Sequence, residues 1–314
     1  MKTLRFTNGD EMPCIGLGTW KSSPGDVYQA VVEAIRAGYR HIDCAYIYGN
    51  EPEVGAALKL CFSEGIVRRE DLWITSKLWN SAHLKQDVVP ALKQTLNSLG
   101  VDYLDLYLIH WPVALIPGTA FPKTTEEFLS PEQAPLSETW AGMEAGVQAG
   151  LTRHIGVSNF SIRKIKNLFR SASIRPELVQ IESHPFLIQQ EMMEYAVSEQ
   201  IHLTAYAPLG ARDRSKKLEG EPDLLGCPLI GEMASQKGCS PAQILISWQL
   251  SRGWSTIPKS VNPERIRQNL AASSVILTEQ EVKSISGLNL NYRYYTGAIW
   301  NLGGPAYQAS VLWD

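Results

Sequence analysis

The chain has 314 residues, a formal net charge of -3 and 44% hydrophobic residues, which permits a full buried core. Such mild acidity gives no electrostatic reason to expect nucleic acid or an anionic membrane surface as partner. No apolar run approaches the roughly 20 residues of a membrane-spanning helix.

The opening MKTLRFTNGDEMP lacks the apolar stretch of a signal peptide, which points to a cytoplasmic protein. The five cysteines (Cys14, Cys44, Cys61, Cys227, Cys239) are odd in number and hold no CxxC pair, so they read as thiols in a reducing compartment. The sequon at Asn159 carries little weight without a signal sequence.

Taken in chain order, short apolar strands alternate with amphipathic helices. CIGLGTW reads as a strand. The helix after it has Pro24 in its first turn, a stripe of Val27, Val31, Ala34 and Ile35, and a stop at Gly38. RHIDCA is the next strand, and a helix opens at NEPEVGAALKLCF. DLWITSKLW, a helix from about Asp87 to Leu99 and YLDLYLIHWP follow. Beyond an irregular stretch come the helix LSETWAGMEAGVQAG and the strand TRHIGVSNF, then the helix IRKIKNLFR and the strand ELVQIESHP. The helix QQEMMEYAVSEQ and the strand IHLTAYAPLG lead to the helix SPAQILISWQLSRG, the strand WSTIPKS and the helix NPERIRQNLAA. Eight strand–helix units imply a parallel sheet closed into a (β/α)8 barrel, a single domain over residues 1–314. A doubly wound dinucleotide fold is the competitor, but Gly16 and Gly18 lack the third glycine of GxGxxG and no acidic strand end lies at the right distance. Residues 112–136, 210–226 and 289–314 interrupt the pattern, and long loops on the carboxyl face of such barrels shape the substrate site.

That face carries the chemistry. The strand ends give Trp20; Asp43 with Tyr48; Lys77 with Trp79; His110 with Trp111; Ser158 and Asn159; Gln180 and Glu182; Tyr206; Lys259 and Ser260. Singly, each has a bland reading: Asp43 a turn cap, Lys77 its ion-pair partner, His110 a satisfied core imidazole, Tyr48 a core ring. Together on one rim they form a proton-donor set. A free phenol has a pKa of about 10, too high for an efficient acid. An adjacent ammonium lowers it, a carboxylate holds that ammonium, and an imidazole orients a carbonyl oxygen. Tyr46 and His41, in the same stretch as Asp43 and Tyr48, read as packing residues. Three tryptophans, Trp20, Trp79 and Trp111, line a cleft poor in water. No GxSxG, no carboxylate pair and no HExxH or clustered metal ligands supplies another chemistry, so a cofactor must bring the hydride or its equivalent.

Lys259, Ser260 and Arg265 surround a helix start capped by Asn262 with Pro263 at its first turn, an anion site suited to phosphate. Asn159 and Gln180 can pair with a planar carboxamide, and Tyr206 offers a ring for stacking.

With MPCIGLGTWK, GYRHIDCAYIYGNE, ITSKLW, YLDLYLIHWP, RHIGVSNF, AYAPLG and IPKSVNPERIRQN in order, the chain resembles the aldo-keto reductase superfamily, most closely its aldehyde reductase and aldose reductase branch. The resemblance implies a catalytic tetrad of Asp43, Tyr48, Lys77 and His110, with Tyr48 as the acid. It implies NADPH/NADP+ held by Thr19, Trp20, Ser158, Asn159, Gln180, Tyr206, Leu209, Lys259, Ser260, Arg265, Gln268 and Asn269. It implies carbonyl substrates bound among Trp20, Trp79, His110 and Trp111, no metal, and a monomer. Departures are Ala207 and Ala211, where many relatives carry hydroxyls, Ser183, where they often carry a different small residue, and Gln268, where many carry an acid. The expected activity is reduction of aldehydes to primary alcohols. Two alternatives stand beside it. One is a reductase of phosphorylated sugars or keto-acids using Arg212, Arg214, Lys216 and Lys217. The other is a non-catalytic NADPH-binding redox sensor.

Overall fold

The computed structural model describes residues 2–314 apart from 213, 215, 216 and 218. A hairpin of β1 (Thr3–Arg5) and β2 (Glu11–Pro13) comes first, with Gly9 at φ 93 in its turn. Eight parallel strands then run side by side in chain order: β3 (Leu17–Gly18), β4 (His41–Asp43), β5 (Trp73–Leu78), β6 (Leu104–Ile109), β7 (Thr152–Ser158), β8 (Leu178–Glu182), β9 (His202–Tyr206) and β10 (Ser255–Thr256). The edges meet through bridges from Ile15 to Thr256 and from Gly18 to Lys259, with Gly16 N–H donating to Thr256 O at 2.9 Å. The result is the (β/α)8 barrel expected from the alternation.

The glycines of GLGTW serve this closure rather than a phosphate. A Cβ on Gly18 would lie 2.7 Å from the Ile257 carbonyl oxygen, and one on Gly16 would lie 2.7 Å from His41 Nδ1. Only a residue without a side chain lets the backbone approach Ile257 at Gly18 and leaves room for the His41 ring at Gly16.

The outer layer is α1 (Asp26–Ala37), α2 (Glu51–Ser63), α3 (Lys85–Leu99), α4 (Leu136–Gln148), α5 (Ile162–Phe169), α6 (Gln190–Glu199), α7 (Pro228–Gln236), α8 (Pro241–Ser251), α9 (Pro263–Ala271), α10 (Glu279–Ser286) and α11 (Ala309–Leu312). In α1 the expected stripe of Val27, Val31, Ala34 and Ile35 is buried, and Gly38, at φ 106, donates to the Ala34 and Ile35 carbonyls as the C-cap. No helix among the described residues is long and apolar enough to cross a membrane. All five cysteines are free thiols, with Cys14, Cys44 and Cys61 buried.

Two apolar layers set the site's position. One lies between sheet and helices; the other plugs the barrel's amino end with Phe6, Met12, Trp73, Leu106, Leu108 and Leu178. With the floor plugged, only the carboxyl rim is open. The hairpin, α7, α10 and α11 were not among the expected elements.

Candidate active site

Side chains alternate along a strand, and this turns Asp43 and Lys77 from adjacent strands into the barrel mouth. Lys77 Nζ lies 2.5 Å from Asp43 Oδ1 and donates to the Cys44 carbonyl at 2.7 Å, with both side chains fully buried. Gln180 Nε2 donates to Asp43 Oδ2 at 2.8 Å from across the barrel. Tyr48 ends a single 3-10 turn, Tyr46–Tyr48, which Gly49 at φ 70 closes. That turn folds the phenol back over the ion pair, 5.3 Å from Lys77 Nζ to ring centroid. His110, just past β6, meets the Tyr48 ring edge-on at 5.9 Å; Trp20 lies 4.8 Å from Tyr48, and Trp79 lies 5.3 Å from His110.

Burial, then the negative charges around Asp43, hold the Tyr48 phenol well above its ordinary value. The sequence led us to expect Lys77 to lower it. In the folded chain the ammonium is engaged by Asp43, so the pair presents little net charge and desolvation dominates. Tyr48 is thus a fully protonated donor. Burial and the Lys77 ammonium push His110 well below the imidazole range, so it is neutral. Its buried Nδ1 has no hydrogen-bond partner among the described residues.

The other half of the rim is more committed than the sequence suggested. Asn159, at φ 62, donates to the His110 carbonyl at 2.9 Å and to Ser158 Oγ at 3.1 Å, and it accepts from Tyr206 Oη at 2.7 Å. Both Asn159 N–H groups therefore face protein, so the expected carboxamide pairing falls on oxygens: Gln180 Oε1 accepts nothing from the described residues. The sequon at Asn159 is buried as well.

Beyond β10, Asn262 caps α9 by accepting the Arg265 N–H at 3.0 Å. Among the described residues no carboxylate pairs with Lys259 or Arg265; Lys259 Nζ reaches only the Lys21 carbonyl, at 3.2 Å. Gln268 donates to Glu264 at 3.1 Å, and Asn269 is buried behind it.

A cavity of about 980 Å3 joins these groups. It is lined by Thr19, Trp20, Asp43, Tyr48, Trp79, His110, Trp111, Ser158, Asn159, Gln180, Tyr206, Leu209, Lys259, Ser260, Arg265, Gln268 and Asn269. Lys77 lies outside the lining, behind Asp43 and Tyr48.

The walls that the sequence left unnamed include Ile47, Phe121, Tyr295 and Trp300. Phe121 sits in the 112–136 loop, whose Ala120 carbonyl accepts from Trp79 Nε1 at 2.8 Å. Tyr295 is held by buried Glu182, which accepts the N–H groups of Tyr294 and Tyr295 at 2.6 and 2.9 Å. A carboxylate at a strand end was the available signal. Tyr46 is corrected: it is 41% exposed rather than packed. His41 is a core imidazole, bonded to the Pro13 carbonyl at 3.1 Å and pushed down to about 4 by burial.

Two cations of the basic loop are neutralised. Arg212 pairs with Asp223, and Arg214 pairs with Glu221 and donates to the Tyr294 carbonyl at 2.9 Å. Lys217 is exposed, and Lys216 lies outside the described residues. Ala207 lines the cavity at φ 48, a conformation costly for an L-residue, whereas Ala211 is packed in the core.

These features define a barrel protein whose single open rim couples a buried proton donor to an anion-ready helix start. Residues 14–290 match the model of the aldo/keto reductase family, and the chain belongs to that family. It is 50% identical to an aldo/keto reductase of Synechocystis, covering 100% of this chain and 97% of that protein. It is 47% identical to aldo-keto reductase family 1 member A1 of Homo sapiens, covering 91% and 89%. The solved aldose reductase of Schistosoma japonicum superposes with a TM-score of 0.89 at 40% identity over 98% of each chain. Family membership makes this a protein of carbonyl-reduction chemistry on small molecules with a nicotinamide cofactor.

Proposed function

We propose that the protein is an NADPH-dependent reductase of aldehydes, including aldoses, glyceraldehyde and aliphatic and aromatic aldehydes, giving primary alcohols. The observation that carries this is the buried Tyr48 phenol over the Lys77–Asp43 pair, in the same cleft as Lys259 and Arg265, which have no carboxylate partner among the described residues.

The residues fit the cofactor. Lys259, Ser260 and Arg265 at the start of α9 would hold the 2′-phosphate, and Gln268 and Asn269 would face the adenine. Tyr206, Gln180 Oε1 and Ser158 Oγ would face the nicotinamide, flanked by Thr19, Trp20 and Leu209. When bound, NADPH supplies a hydride to the carbonyl carbon. Tyr48 gives its proton to the carbonyl oxygen from its place over the Lys77–Asp43 pair. Neutral His110 can donate an N–H toward the same oxygen and so orient it. Trp20, Trp79 and Trp111 exclude water, which strengthens these interactions. Arg212 and Arg214 are paired with acids, which favours neutral aldehydes over a phosphorylated or acidic substrate.

The test is Tyr48→Phe, assayed by NADPH consumption across sugar, acid and aromatic aldehydes. Loss of about 10²–10⁴ in kcat is expected, the usual contribution of a positioned acid. A near-wild-type rate overturns the mechanism, and a wild-type protein that consumes NADPH with no aldehyde favours the redox-sensor reading.

A further inference from the structure

The segment after Asn291 crosses the rim and returns to α5. It is fastened at two points. At its start, Glu182 takes the Tyr294 and Tyr295 amides from the end of a barrel strand. At its far end the fastening is a lysine. Lys164 Nζ donates to the Val311 carbonyl, to the Leu312 carbonyl at 3.3 Å and to Asp314 Oδ1 at 3.1 Å.

We propose that Lys164, outside the cleft, is a specificity-positioning residue: by clasping residues 311–314 it holds Trp111 and Trp300 as the aromatic wall against which bulky aldehydes pack. The proposal rests on the aldehyde reductase reading of the cleft and names what tunes it.

The four residues of α11 are too few to sustain a helix alone, and the last carbonyls of any helix need outside donors. Lys164 supplies them. Its side chain is 15% exposed, so the ammonium is held where losing its partners would be costly. Ser161, the N-cap of α5, adds a hydrogen bond to Asp314 Oδ1 at 3.1 Å. Arg163 also pairs with Asp314 but is well exposed, so it contributes little.

From the clasp the contacts run straight to the cleft. Trp313 Nε1 donates to the Thr296 carbonyl at 2.8 Å, and its ring meets Trp111 at 5.8 Å. Trp111 meets Trp300 at 5.6 Å. Leu312 is buried with Trp300 in a cluster separate from the barrel core. Loosening this segment therefore leaves the strands, the ion pair beneath Tyr48 and the start of α9 in place.

The experiment compares wild type, Lys164→Met and Lys164→Arg with NADPH and two aldehydes, one the size of glyceraldehyde and one bulky and aromatic. In Lys164→Met, KM for the bulky aldehyde rises about tenfold, the loss expected for a charge-assisted bond. Its kcat, the KM of the small aldehyde and the NADPH Kd stay within about twofold, and Lys164→Arg restores the bulky KM. Equal changes for both aldehydes, or none, overturn the proposal. Hydrogen exchange of residues 296–314 is read in the same proteins. Faster exchange there in Lys164→Met, with β4–β6 unchanged, supports the clasp even if wild type turns over neither aldehyde, an outcome that would sink the functional reading alone. Unchanged exchange overturns the clasp whatever the activity.

Discussion

The two ends of the barrel treat charge in opposite ways. At the floor the charges around His154 and Asp105 are paired. His154 lies between Glu177, 2.8 Å from Nδ1, and Asp10, 2.9 Å from Nε2. Arg153 pairs with Asp10 at 2.5 Å, and Arg69 pairs with Asp105 at 2.8 Å. The rings of Phe6 and Trp73 flank the imidazole at 4.2 and 5.3 Å. At the rim, among the described residues, Lys259 and Arg265 have no carboxylate and His110 Nδ1 is buried without a partner. A closed set of pairs serves stability; open valences in a cleft await a ligand. The Lys77–Asp43 pair is the exception, a floor-like closed pair placed under the rim.

Breaking that exception has the largest expected effect. Lys77→Met leaves Asp43 buried beside Gln180 alone. It should cost about 3–5 kcal/mol of stability, as removal of one partner of a buried pair does, and abolish most turnover. Lys77→Met with Asp43→Asn should recover most of the stability, measured by urea unfolding, and none of the rate. Recovery of both would mean that the pair matters to folding alone.

The open cations come next. Lys259→Ala with Arg265→Ala should weaken NADPH binding by about a hundredfold, since two charge-assisted contacts are lost, and NADH binding by only a few-fold. Fluorescence titration with both nucleotides decides this, and equal losses remove the phosphate assignment.

The rim was more legible in the sequence than the floor, for a physical reason. Inward residues at parallel strand ends must share one mouth, so Asp43, Lys77, His110 and Gln180 could be brought together from strand order alone. Their hydrogen bonds could not: nothing in QIESHP says that Gln180 reaches Asp43, or that Asn159 turns its amide to Tyr206. The floor depends on β1 and β2, three residues each and too short for periodicity, although Asn8-Gly9 is a hairpin signal. The unexpected α10 also carried a signal, the capping box of Thr278 and Glu281. The tail that places Trp300 has only short turns, whose course is set by Glu182 and Lys164 rather than by any local pattern.

The smallest effect separates floor from rim by pH. Burial lowers His154, but the hydrogen bonds and charges of Glu177 and Asp10 outweigh it, and the group ends above the ordinary 6.5. A histidine raised on folding binds its proton more tightly in the native state. Its stabilisation is complete below 6.5 and fades as pH rises through the raised value. Asp10 carries the burial cost of its carboxyl yet is held below 3.8 by His154, Asn8 and Arg153, so its share is present above 3.8 and fades in stronger acid. The floor is therefore strongest between those two values. Four other histidines act oppositely: burial pushes His83 to about 3 and His41 to about 4, and also lowers His110 and His202. Each resists protonation in the folded state and accepts a proton more readily once unfolded, so the contribution of these four falls below 6.5. The difference between wild type and His154→Gln isolates the floor. Urea unfolding should give a gap of about 1.5–3 kcal/mol at pH 6, the scale of a charge-assisted bond, and a smaller gap at pH 9. Activity at pH 7 should be unchanged, because no contact of His154 reaches the rim. A gap that stays constant from pH 6 to pH 9 would show that His154 holds the floor by packing between Phe6 and Trp73, and that its charge plays no part.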